Sequence, residues 1–196
     1  MIPKYLATAS VVLTLSWAAA SQASVTTYTD ESAWIAAAGP YYNEPFDVGG
    51  LQSFTGVTTT NGSIGSARGS LSGSVWNDRI AGTDSTTFSY IPADIIAAGA
   101  TWDTSPGGEG SGLTLTLNLA GGGTEQVAQI GPIDGTFFGF VSTDAFSSFS
   151  ITLGPSSGQE TYDLDNLHFA VPEPASVAVL GFGLVALGRM RRRKIT

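Results

Sequence analysis

The chain has 196 residues, no cysteine, one histidine and a formal net charge of −8. This length accommodates one domain plus processing segments. The lack of cysteine excludes a disulfide scaffold, a thiolate metal site and a thiol nucleophile, and the single His168 excludes any site that needs two histidines.

Charge is unevenly placed. All sixteen acidic residues lie between Asp30 and Glu173, where Arg68 and Arg79 are the only bases, so this stretch carries a net −14. Such a body repels phosphate backbones and anionic headgroups, and nucleic acid is not expected as a partner. The two ends differ from it. Met1 to Lys4 is short and positively charged, Tyr5 to Ala19 is apolar apart from small hydroxyl residues, and Ser21-Gln22-Ala23 offers the small residues of a cleavage site. This is the layout of a secretory signal peptide over 1–23, with the mature chain starting near Ser24.

The body, 24–170, reads as one all-β domain behind a short helix. Asp30 is an N-cap candidate, Trp34 and Ile35 supply an apolar face, and Gly39-Pro40 ends the run. Strand signals follow. Leu113 to Leu119 alternates without a break, and Gly121-Gly122-Gly123 turns the chain into Thr124 to Ile130. Phe137 to Val141 and Phe146 to Leu153 read as two further strands, and Glu160 to Phe169 as the last. Short alternating strands with Gly-rich turns predict a jelly-roll-like β-sandwich, with long loops at 40–50, 60–70 and 103–111 as crossovers.

Candidate chemistry is sparse. Gly154-Pro155-Ser156-Ser157-Gly158 fits G-x-S-x-G, but joins two strands where a nucleophile elbow needs a strand-to-helix turn. Strict alternation along the last strand places His168 with Leu164 and Asn166. Asp163 and Asp165 share one face, about 6.5–7 Å apart at Cα. With the amide oxygen of Asn166 they are the best local set for a structural calcium, the one cofactor the sequence suggests. The same pair would suit a glycoside hydrolase, against which stands its origin in one strand and one environment. A solvated acidic surface is the plain alternative. Trp76, in a polar setting after Gly73-Ser74 and before Asn77-Asp78-Arg79, is a candidate ligand contact by stacking on sugar, with Tyr41 and Tyr42 beside it as candidates and Trp102 expected inside. Thr58 to Thr60 and the threonines of 113–119 make only two short groups, too few ranks for an ice-binding face.

The tail, 171–196, has three parts. Val171-Pro172-Glu173-Pro174 cannot lie inside a helix or a central strand. An apolar run to Gly188 follows, about 21 Å as a helix against a hydrocarbon core of ~30 Å. Arg189, Arg191, Arg192, Arg193 and Lys194 then form a basic stop that fixes this end in the cytoplasm. The segment resembles the PEP-CTERM sorting tail, also labelled the C-terminal domain of ice-binding proteins. The resemblance implies a transmembrane intermediate, cleavage near Pro172-Glu173-Pro174 by an exosortase, and display or release at the cell surface of a bacterium that makes exopolysaccharide. The body, through Asp30 to Gly39, Phe137-Phe138-Gly139-Phe140, Phe146 to Phe149 and Asp165-Asn166-Leu167, is similar to a sandwich domain common in proteins with this tail. The expected function is an exported surface or extracellular matrix protein with a non-catalytic body, associated with exopolysaccharide or biofilm. A carbohydrate-binding module is the alternative, and a glycoside hydrolase or ice-binding protein a remote one.

Overall fold

The computed structural model describes residues 23–47, 50–60, 69–107, 112–155 and 158–172. Residues 1–22 of the signal peptide, Ser156, Glu173, Pro174, the apolar run and the basic stop lie outside the described residues.

A first strand, β1 (Val25–Tyr28), leads into the expected helix, α1 (Glu31–Ala38). Asp30 stays extended and its Oδ1 accepts the Ala33 N–H at 2.7 Å, satisfying one of the helix's unpaired first donors. Gly39, at φ 78°, closes the other end and donates its N–H to Ile35 O. The strands after it are β2 (Tyr41–Glu44), β3 (Thr55–Thr59), β4 (Ser70–Ser72), β5 (Val75–Ala81), β6 (Ser85–Tyr90), β7 (Ile95–Asp103), β8 (Leu113–Leu119), β9 (Thr124–Ile130), β10 (Thr136–Leu153) and β11 (Gln159–Ala170).

The architecture is an all-β sandwich with one short helix among the described residues, and β10 is its backbone. The sequence predicts separate strands at 137–141 and 146–153, whereas the structure runs one strand of 18 residues through both. Its first half pairs with β1 and β7, and its second half with β6 and β8. The intervening Ser142 to Ala145 keep extended geometry because Ser142 and Thr143 tie to neighbouring backbone, Thr143 N–H to Ser24 O at 3.0 Å. One sheet thereby folds over into two layers. The first has β1, β10, β7, β11 and β5, with β2 and β4 at its margins, and the second has β3, β6, β10, β8 and β9. The expected loop at 40–50 is shorter than predicted, because Tyr41–Glu44 pair with the end of β11.

Between the layers lies an aromatic core. Trp76 of β5 meets Phe88 of β6 edge-on at 5.5 Å, Phe46 packs against both rings, and Phe88 stacks on Phe149 at 5.5 Å. Leu113, Leu115 and Leu117 fill it from β8, as their alternation predicts. Among the described residues three carboxylates are buried in this shell, one of them Glu160, which accepts the Gly112 N–H at 2.8 Å. Glu44 accepts from Phe46 and Gln52 N–H, and Asp78 accepts from Tyr162 OH at 3.1 Å and from Thr86 Oγ1. Burial, then the Asp78 charge, holds the Tyr162 phenol well above its ordinary value.

The helix covers the outside of the first layer. Trp34 is fully buried there and its indole N–H donates to Phe140 O at 3.1 Å. Room for the ring comes from Gly99 and Gly139, which face each other across β7 and β10. A Cβ at Gly139 would sit 2.7 Å from Trp34 Cδ1, and one at Gly99 2.6 Å from Phe137 Cζ. Trp34→Ala is expected to lower the unfolding free energy by about 3–5 kcal/mol, because it empties this recess and removes the indole hydrogen bond to the Phe140 carbonyl. Gly139→Val is expected to cost about 1–3 kcal/mol by overfilling it. Urea midpoints of the two variants beside the parent check both.

Candidate functional site

Outside the cover of α1, the first layer's outer face holds a groove of about 190 Å³ lined by Val75, Thr101, Asp103, Gly135, Asp163 and Asp165. Strand parity builds it. Asp163 pairs with Asp103 of β7 on one side and Asn77 of β5 on the other, and Asp165 pairs with Thr101. Asn77 Nδ2 donates to Asp163 Oδ1 at 2.5 Å. Asp103 Oδ1 accepts the Ser105 N–H at 2.7 Å, and Asp165 Oδ1 the Asn166 N–H at 2.7 Å. Burial raises the Asp165 carboxyl from its ordinary value, the Asn166 N–H offsets part of this, and the Asp47 charge adds to it. Three carboxylates facing one groove offer acceptors to hydroxyl donors or a hard cation. Among the described residues no group of three or more histidines or carboxylates is gathered closely enough to hold a metal ion.

Asp163 and Asp165 therefore share a face, as their spacing predicts, and Asp103 joins them. Sequence reading missed Asp103, whose only signal is its place at the end of the alternation through Trp102. Asn166 stands apart as the turning point of a β-bulge. Between Asp165 and His168 β11 uses three steps where β7 uses two, and Asn166 takes φ 50°. The bulge corrects the expected grouping of His168 with Leu164. Leu164 points into the core, whereas His168 lies on the outer face beneath α1.

His168 is nearly sealed there. It packs on Tyr41 at 4.5 Å, Trp34 at 5.6 Å and Phe137 at 6.4 Å. Its Nδ1 has no hydrogen-bond partner and lies 3.8 Å from Glu31 Oε1. Burial lowers its pKa, and the Glu31 charge opposes part of that shift.

Trp76 is not a surface ligand contact. It is fully buried, and its polar neighbours Asn77 and Arg79 are the outward half of a strict alternation along β5. Trp102 is inside as expected, donating its indole N–H to Phe138 O at 3.1 Å. Of the aromatic candidates Tyr41 and Tyr42 stay exposed, at 38% and 46%. Tyr42 rests on Tyr90 at 4.9 Å and on Phe54 at 5.8 Å.

Comparison with known proteins adds two findings. Residues 170–194 match the PEP-CTERM protein-sorting motif, so the chain carries a signal for export and exosortase sorting. Among the described residues no helix is long and apolar enough to cross a membrane. No curated protein matches the chain. Solved structures of family 29 carbohydrate-binding modules share the fold. A mutant of CBM29-2 complexed with mannohexaose aligns at TM-score 0.51 and 12% identity, over 69% of this chain and 98% of that one. Another CBM29-2 mutant, complexed with cellulohexaose, aligns at TM-score 0.50 and 11% identity, over 67% of this chain and 92% of that one.

The His168 environment gives a signed pH dependence. The unfolded chain takes up its proton near the ordinary 6.5, and the folded chain only at lower pH. The stability of the neutral, enclosed ring is thus whole above 6.5 and is lost as pH falls through the folded value. Replacing the ring by His168→Phe is expected to remove this component, so the parent loses more stability than the variant between about pH 7.5 and pH 5.5 in paired urea titrations.

Proposed function

We propose that this chain is an exported, exosortase-sorted surface or extracellular matrix protein whose sandwich associates with exopolysaccharide and catalyses no reaction. The observation that carries the reading is the junction of body and tail. The last strand ends at Ala170, and the sorting motif begins at the same residue. Cleavage near Pro172-Glu173-Pro174 then separates a finished domain from its signal without cutting a hydrogen-bonded strand. A carbohydrate-binding module is the second reading, supported by the shared fold with modules whose structures hold mannohexaose and cellulohexaose.

The absence of catalysis rests on the geometry of the candidates. Asp163 and Asp165 line one groove from one strand, and a hydrolase needs a proton donor and a nucleophile in contrasting environments. His168 is enclosed by rings under α1, out of reach of a substrate that needs a general base.

Intact-mass analysis of the exported protein is expected to show a chain starting near Ser24 and lacking Arg191 to Lys194. A mature form that keeps those residues in exosortase-competent cells contradicts the sorting reading. Ester and glycoside substrates are expected to turn over at background rates, and Asp165→Asn to change nothing. A calcium ion on Asp163 and Asp165, completed by water, belongs to the same proposal, supported by the place of both carboxylates along one groove. Two carboxylates make a weak site, so millimolar calcium is expected to raise the melting temperature by roughly 2–4 °C above equal magnesium, as about 1 kcal/mol does in a domain of this size. Equal melting in calcium, magnesium and chelator removes the ion from the proposal.

A further inference from the structure

The outer face of the second layer is built differently from the acidic face of the first. Five strands in the order β3, β6, β10, β8 and β9 bring their outward residues into register. The central rank across them reads Thr58, Thr87, Ser150, Thr116 and Gln126. The ranks on either side repeat the chemistry, one through Ser89 and Ser148, the other through Ser85 and Thr152. Every outward position of the three ranks is Ser, Thr, Asn or Gln, apart from Gly56. Threonine groups that are short and separate in sequence are here columns of one surface.

The side chains are mutually ordered. Thr87 Oγ1 and Ser150 Oγ share a hydrogen bond of 2.8 Å, and Asn118 Nδ2 donates to Ser148 Oγ at 2.9 Å and to Ser150 Oγ at 3.1 Å. Neighbours lie about 4.8 Å apart across the strands and about 6.7 Å apart along them. At one corner the missing side chain of Gly56 gives room to Ser89 Oγ, beside Ile91, which is 63% exposed. A charge-free face spanning five strands is unexpected in a segment of net −14, since charged side chains are the ordinary protection of a sheet surface and its edges.

We infer that this face is the polysaccharide contact surface and that its ligand is a neutral, hydroxyl-rich polysaccharide lying across the strands. The inference rests on the exopolysaccharide reading above and assigns the surface and the ligand class. Hydroxyls and amides both donate and accept, as sugar hydroxyls do, so a neutral chain finds partners in either sense. A uronate or phosphate polymer finds no cation among the described residues of this face and meets the repulsion of the acidic body. Many modest hydrogen bonds along one polymer add up through effective concentration, with no deep pocket required.

The test is affinity electrophoresis of the exported, processed protein in gels holding glucomannan, hydroxyethylcellulose or alginate. Retardation by the two neutral polymers and free migration in alginate is the expected result. Ser150→Glu, which sets a charge in the central rank, is expected to weaken retention about tenfold by forcing a desolvated charge against the ligand. Thr58→Glu, at an exposed position of the marginal strand β3, is expected to weaken it in the same direction. Thr27→Glu, an exposed site on the first layer, adds the same charge and is expected to migrate like the parent. Retention by neutral gels that Ser150→Glu and Thr58→Glu both leave intact overturns the face but leaves the exopolysaccharide reading standing. Retention by alginate alone overturns the ligand class. No retention in any gel overturns both readings, and shaping of ice crystals lost in the same two variants would then assign the face to ordered water.

Discussion

Everything in this sandwich depends on the uninterrupted pairing of β10. Its 18 residues cannot be flanked by the same two neighbours along their whole length, because no partner is more than half as long. Each half therefore recruits its own pair, and the right-handed twist of a long strand turns the second pair over the first. The core rings meet because of this. Phe140 from the first half and Phe149 from the second stand edge-on at 5.7 Å within one strand. Trp76 and Phe88, from different layers, close over them.

The two outer faces of that sheet took opposite routes to solubility. The first layer collects carboxylates and hides its remaining apolar area under α1. There the indole of Trp34 uses the room left by two facing glycines. Among the described residues the second layer has no helix over it and no charge across its central strands, only hydroxyls and amides tied to one another. One face is electrostatically repulsive toward anions and the other indifferent to charge, which is a physical basis for a protein with two unlike surfaces.

Sealed polar groups mark where the fold is under constraint. Glu44 and Asp78 keep their carboxylates inside by accepting hydrogen bonds, Glu44 pinning the chain where it leaves β2 and Asp78 tying the middle of β5 to Thr86 of β6 and Tyr162 of β11. His168 has no such compensation at Nδ1 and is kept neutral by enclosure. A buried neutral histidine among three aromatic rings serves packing, and its only chemistry is the destabilisation that follows its protonation.

The sequence by itself determined the parts that local physics controls. Asp30 and Gly39 bracket α1 because capping is decided within one turn, and Leu113 to Leu119 forms β8 because a period of two admits only one buried face. The sorting signal was legible for the same reason, since prolines, an apolar run and a basic stop act through composition and order. Tertiary structure alone decided what depends on register. The joining of two expected strands into β10 required partners from four others. The bulge at Asn166 moved His168 to the face opposite Leu164, and no alternation rule can place a residue beyond an inserted step. Trp76 read as exposed because its neighbours are polar, yet those neighbours are the outward half of β5. The meeting of Asp103 with Asp163, and of Thr58 with Thr87, Ser150 and Thr116, joins residues far apart in the chain through hydrogen-bond ladders. Side chains distant in sequence become neighbours only when pairing fixes which residue stands opposite which.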